Sequence, residues 1–91
     1  IIKAKVNVKG VMKDVLFFSN VNSSTARENL TIKASLDMGE TWLPAHQLLI
    51  DSRKSFGYSC LTKIDDNTLG LLYEGARDLY FVRVPVKDVV K

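Results

Sequence analysis

The sequence predicts an all-β protein made of short antiparallel strands. Three observations carry that reading. Apolar-polar alternation recurs in short runs enriched in Val, Ile, Leu, Phe and Tyr. Clusters of Asn, Asp, Ser and Gly separate those runs at intervals short enough for hairpins. No stretch sustains a helical period.

The elements follow in order. Ile1 to Val8 alternates and stops at Lys9-Gly10, as a strand or an extended connector. Val15-Leu16-Phe17-Phe18-Ser19 is short and aromatic and reads as a buried strand, followed by the loop chemistry of Asn20-Val21-Asn22-Ser23-Ser24-Thr25. Leu30-Thr31-Ile32-Lys33-Ala34-Ser35 alternates as a half-buried strand. Pro44 opens a new segment whose returning strand is Gln47-Leu48-Leu49-Ile50. The polar stretch Asp51-Ser52-Arg53-Lys54-Ser55 is the expected boundary between two units, residues 1–52 and residues 53–91.

The second unit repeats the style. Tyr58 to Ile64 reads as a strand, Asp65-Asp66-Asn67 as a turn, and Thr68 to Glu74 as the partner strand. Gly75-Ala76-Arg77-Asp78 turns the chain into Leu79 to Val84, which Pro85 stops, leaving a tail or a short helical turn.

Composition excludes some functions. With 46% apolar and 25% charged residues the chain has the make-up of an ordinary globular domain. A net charge of +3 with scattered basic residues does not suit a nucleic-acid or membrane surface. No apolar run reaches the length of a membrane span, and no signal peptide is visible. Cys60 is the single cysteine, which excludes an internal disulfide; it alternates with Ser59 and is expected to pack as a small hydrophobe. His46 has no metal-ligand spacing to a second His or Cys, so neither a metal nor a cofactor is expected. The chain lacks an initiating Met and starts in mid-alternation, as a chain cut or processed from something longer would.

The most specific stretch is Ser35-Leu36-Asp37-Met38-Gly39-Glu40-Thr41-Trp42. An Asp carboxylate accepts backbone N–H groups just ahead of it and closes a tight turn. Gly39 supplies a positive φ without steric cost, and the Ser35 and Thr41 hydroxyls can tie the arms. Trp42 folds a large apolar ring back under the loop. This Ser-x-Asp-x-Gly-x-Thr-Trp pattern resembles the Asp-box of sialidases and related β-propellers.

The resemblance to bacterial exo-α-sialidases extends over nearly the whole chain. It runs through Phe17-Phe18-Ser19-Asn20, Arg27 before Leu30-Thr31-Ile32, Phe56-Gly57-Tyr58-Ser59-Cys60-Leu61, Leu69 to Gly75, and Phe81-Val82-Arg83-Val84-Pro85. Val21 departs from it, standing where relatives often carry proline. The implied fold is about two blades of a six-bladed propeller. A blade takes four strands and about 40–45 residues. Two blades close no ring and expose apolar sheet faces, so the chain is expected to be part of a larger protein. The alternative is a self-contained small β-sandwich. In such propellers the Asp-box sits at the rim, away from the active-site face.

Three residues carry chemistry by this resemblance. Arg27 matches the third arginine of the triad that clamps the sialic acid carboxylate, a task suited to a planar, always charged fork. Without that frame it is a solvated loop charge. Tyr58 matches the catalytic nucleophile. Sialic acid already bears a carboxylate on its anomeric carbon, which would repel an Asp or Glu nucleophile. A neutral phenol avoids the repulsion, but with a pKa of about 10 it needs a carboxylate base. No residue here matches that base. Without the Phe-Gly-Tyr-Ser-Cys context, Tyr58 is a core aromatic. Glu74 matches the glutamate that holds the first triad arginine from behind; otherwise it is a surface glutamate at a strand end. Asp65 and Asp66 are read as turn formers rather than a catalytic pair.

The implied function is part of a retaining exo-α-sialidase that releases terminal sialic acid from glycoconjugates, with the 91-residue chain alone inactive. Its implied partners are sialylated glycans and the remaining blades of the same enzyme, at a secreted, periplasmic or cell-surface location. The rival reading is a non-catalytic Asp-box propeller module that binds glycans or proteins.

Overall fold

The computed structural model describes residues 1–21, 29–52, 59–74 and 78–90. They form seven strands in two antiparallel sheets. The first sheet contains β1 (Ile2–Val8), β2 (Val11–Val21), β3 (Leu30–Ser35) and β4 (Gln47–Asp51), in sequence order across the sheet. The second contains β5 (Ser59–Asp65), β6 (Thr68–Glu74) and β7 (Leu79–Pro85), again in sequence order. A single 3-10 turn over Pro44–His46 leads into β4, and one helical turn, α1 (Val86–Val89), follows β7.

The predicted all-β class is present, and in each sheet the strands follow one another as a meander. Lys9 (φ 52°) and Gly10 (φ 87°) close the β1–β2 hairpin with two successive left-handed residues, the geometry that matches strand twist in two-residue turns. Asn7 Oδ1 accepts the Gly10 N–H at 2.8 Å and secures that turn. β2 is longer than the alternation predicts, beginning at Val11 and running through Asn20 to Val21. Its first residues, Val11 to Asp14, are all exposed. They are strand because β1 pairs them, Lys5 with Asp14 and Val6 with Lys13.

The core lies between the two sheets. Val6, Val15, Phe17, Ile32 and Ala34 from the first sheet are fully buried, as are Leu69 and Leu71 from the second. Each of these side chains other than Ala34 contributes roughly 1.5–3 kcal/mol by leaving water, and Ala34 less. β5 lies against β1 and β2, and α1 packs on both sheets. A four-residue helix has no stability of its own. Burial of Val86 and Val89, and the Val86 N–H donated to Asn67 O at 2.8 Å, hold it in place.

β3 departs from the half-buried expectation. Leu30, Ile32 and Ala34 face the core, yet Thr31 and Ser35 on the opposite face are also buried. At Ser35 the cover is the chain's own next turn. Cys60 departs too: it is exposed, on the face of β5 turned away from the core, while Leu61 is buried. Register explains the difference, since Cys60 pairs with Leu72 on the outer face and Leu61 with Leu71 on the inner one. That outer face also carries exposed Leu79 and Phe81.

Candidate functional site

The strand ends divide the chain's loops between two ends of the paired sheets. One end holds the Lys9–Gly10 turn, the Asp-box turn after β3, the β5–β6 turn and α1. The Asn7 N–H, donated to Asp66 O at 2.7 Å, fastens the sheets there. The opposite end is formed by the last residues of β2, β4 and β6 and the first of β3, β5 and β7.

At the first end the Asp-box forms as its residues dictate. Asp37 Oδ1 accepts the Ser35 hydroxyl at 2.7 Å and the Thr41 N–H at 2.9 Å, and Oδ2 accepts the Thr41 hydroxyl. Ser35 Oγ, having donated to Asp37, accepts the Gly39 N–H at 2.8 Å. The left-handed turn takes two residues, Met38 (φ 61°) and Gly39 (φ 95°). Gly39 was the expected one; Met38 pays a steric penalty that the sequence does not announce. The Thr41 hydroxyl, the Thr41 N–H and the Ser35 hydroxyl together lower the Asp37 pKa to about 2.

The turn then folds over the first sheet on the face away from the core. Leu16 Cδ1 lies beneath Gly39, 3.4 Å from where a Cβ would stand. The half-buried Trp42 ring meets Phe18 edge-on, at 6.4 Å and 64°. Ile1, Phe18, Lys33 and Trp42 line a shallow, mostly apolar depression there. It offers no convergent polar groups, and the Asp-box reads as a structural staple.

Asp65 and Asp66 are turn formers, as expected. Asp65 Oδ1 accepts the Asn67 N–H at 2.8 Å, which holds its pKa below the ordinary value, and Asp66 pairs with Lys63 at 3.0 Å.

The opposite end is where the chemistry was expected. Arg27 and Tyr58 lie outside the described residues. Glu74 is described: it ends β6, half-buried, opposite Leu79. The strand ends that flank residues 22–28, 53–58 and 75–77 all belong to this one end of the molecule. Two side-chain hydrogen bonds join the sheets there. Ser19 Oγ and Ser59 Oγ are 2.7 Å apart, and the Tyr73 hydroxyl donates to Asp51 Oδ2 at 3.1 Å. The Tyr73 and Tyr80 rings stack at 5.3 Å and 26°. Asn20 Oδ1, near the end of β2, is buried without a hydrogen-bond partner among the described residues.

The sequence reading gave no role to Ser19, Asp51, Ser59 or Tyr73. A signal was available for Ser19: it shares the inward face of β2 with Val15 and Phe17, where a hydroxyl needs a partner. Among the described residues no group of His, Cys, Asp and Glu could hold a metal, and no helix is long and apolar enough to cross a membrane.

Four antiparallel strands capped by an Asp-box, packed on a second antiparallel sheet, define a segment of an Asp-box β-propeller. No family model matches the chain. It is 52% identical to a sialidase of Bacteroides fragilis (strain YCH46), over 99% of the chain and 16% of that protein. It is 47% identical to a sialidase of Micromonospora viridifaciens, over 66% of the chain and 9% of that protein. Among solved structures, the Hadza microbial sialidase Hz136 superposes with a TM-score of 0.82 at 48% identity, covering 93% of the chain and 16% of that protein. The chain belongs with the bacterial sialidases, and it spans 16% of the length of the Bacteroides fragilis relative.

Proposed function

We propose that this chain is part of a retaining exo-α-sialidase that removes terminal sialic acid from glycoconjugates. The observation that carries the reading is the 52% identity to a sialidase across 99% of the chain, a span that includes the Arg27, Tyr58 and Glu74 positions. The topology supports it, because β2, β3, β5 and β6 bring the strand ends next to all three residues to one end of the sheets.

In this reading Arg27 donates paired hydrogen bonds to the substrate carboxylate, and Tyr58 attacks the anomeric carbon. Glu74 holds an arginine supplied by another part of the enzyme. The general acid and the base that activates Tyr58 also come from outside this chain, so the 91 residues alone turn over no substrate. Residues 1–52 and 53–91 are two successive blades, the rest of the propeller is their partner, and sialylated glycans are the substrate. A secreted, periplasmic or cell-surface location goes with that substrate.

The test is Arg27→Ala in the full-length enzyme. Hydrogen bonds to a charged group contribute about 1.5–3 kcal/mol, so KM for a fluorogenic sialoside rises by roughly ten- to a hundredfold. An unchanged KM rejects the carboxylate clamp.

A further inference from the structure

We propose that Ser19 and Asp51 are positioning residues for the reaction, acting through a two-bond clasp that joins the sheets one residue along the chain from Tyr58 and Glu74. This rests on the reading of Tyr58 as nucleophile and Glu74 as the arginine holder.

Both clasp bonds run from the first sheet to the second. Ser19 of β2 meets Ser59 of β5 at 2.7 Å, the usual length of a hydroxyl–hydroxyl bond. Asp51, the last residue of β4, accepts the Tyr73 hydroxyl of β6 at 3.1 Å. Ser59 and Tyr73 are cross-strand partners, so the two bonds grip adjacent points of one β5–β6 ladder. Each gripped residue is one peptide bond from a proposed site residue, Ser59 from Tyr58 and Tyr73 from Glu74. On the other side, Ser19 lies near the end of β2, and Asp51 pairs with Leu30 at the start of β3. Those two strands bracket the segment that contains Arg27.

The apolar core between the sheets gives cohesion without direction. Directional hydrogen bonds at the interface fix the offset of one sheet against the other. Catalysis needs that offset: a displacement of about 1 Å can cost a factor of about a hundred in rate. The clasp therefore fixes how the strand ends on the β2–β3 side stand against those on the β5–β6 side, from which the chain continues to the proposed site residues. Tyr73 is buried and stacked on Tyr80, so its hydroxyl has little freedom to find another position.

The experiment compares the full-length enzyme with Ser19→Ala, Ser59→Ala, the double variant, Asp51→Asn and Tyr58→Phe. It reads kcat and KM on a fluorogenic sialoside, normalised to folded protein, together with the thermal midpoint. The clasp predicts that kcat falls about tenfold in each serine variant and in Asp51→Asn, with KM changed less than about twofold. The double serine variant is no worse than either single one, because both remove the same bond. A role in stability alone lowers the thermal midpoint and leaves kcat per folded molecule unchanged, which overturns the proposal. Serine effects that multiply in the double variant overturn it as well. If Tyr58→Phe is dead while the clasp variants keep full kcat, the clasp fails and the nucleophile stands. If Tyr58→Phe keeps full turnover, the nucleophile reading fails and takes the clasp with it.

Discussion

The Ser35 hydroxyl donates to Asp37 at 2.7 Å while accepting the Gly39 N–H at 2.8 Å. One buried oxygen thus links the end of β3, the turn carboxylate and the left-handed glycine. Ser35→Ala removes a donor and an acceptor together and leaves Asp37 with Thr41 alone. The expected loss is about 1–3 kcal/mol, read as a lower urea midpoint at unchanged slope. A midpoint equal to wild type contradicts the bridging role.

Gly39 has φ 95° and sits over Leu16. Gly39→Ala forces a side chain into a backbone region that L-residues avoid and costs about 1–2 kcal/mol. Met38→Asn, at φ 61°, has the opposite sign and stabilises the turn, because Asn tolerates that region better. Denaturant melts of the two variants check both directions.

The Asp37 carboxyl titrates at about 2 when folded, against an ordinary 3.8. A lowered folded pKa means that ionised Asp37 favours the folded state above its unfolded value. That contribution is constant above about pH 5 and disappears as pH falls from about 4 through about 2. The stability difference between wild type and Asp37→Asn is therefore flat from pH 5 to 7 and shrinks toward pH 2. A difference independent of pH below 4 contradicts the hydrogen-bonded carboxylate.

Phe18 and Trp42 meet edge-on across the staple. A double-mutant cycle with Phe18→Leu and Trp42→Leu yields a coupling of about 0.5–1.5 kcal/mol. Additive effects indicate that the rings merely share a surface.

Much of the fold was legible because this chain marks its own turns. Lys9-Gly10, the Asp-box, Asp65-Asp66-Asn67 and Pro85 stop strands by local chemistry that needs no partner. Val11 to Asp14 was not legible, because only pairing with β1 makes those exposed residues a strand. Cys60 was assigned to the wrong side because alternation gives two faces without naming the buried one; Leu61 and its partner Leu71 decide that. In the site, Arg27, Tyr58 and Glu74 came from family pattern alone. Ser19–Ser59 and Asp51–Tyr73 join residues 40 and 22 positions apart, and no local spacing reveals such pairs.

In the proposed function Tyr58 is the nucleophile of a sialidase to which this chain contributes. The most direct measurement is turnover of a fluorogenic sialoside by the full-length enzyme carrying Tyr58→Phe, beside wild type. In that proposed role the phenol oxygen is the atom that bonds the anomeric carbon, so its loss abolishes ordinary retaining turnover while the variant stays folded. Wild-type kcat/KM in Tyr58→Phe contradicts the nucleophile role of Tyr58.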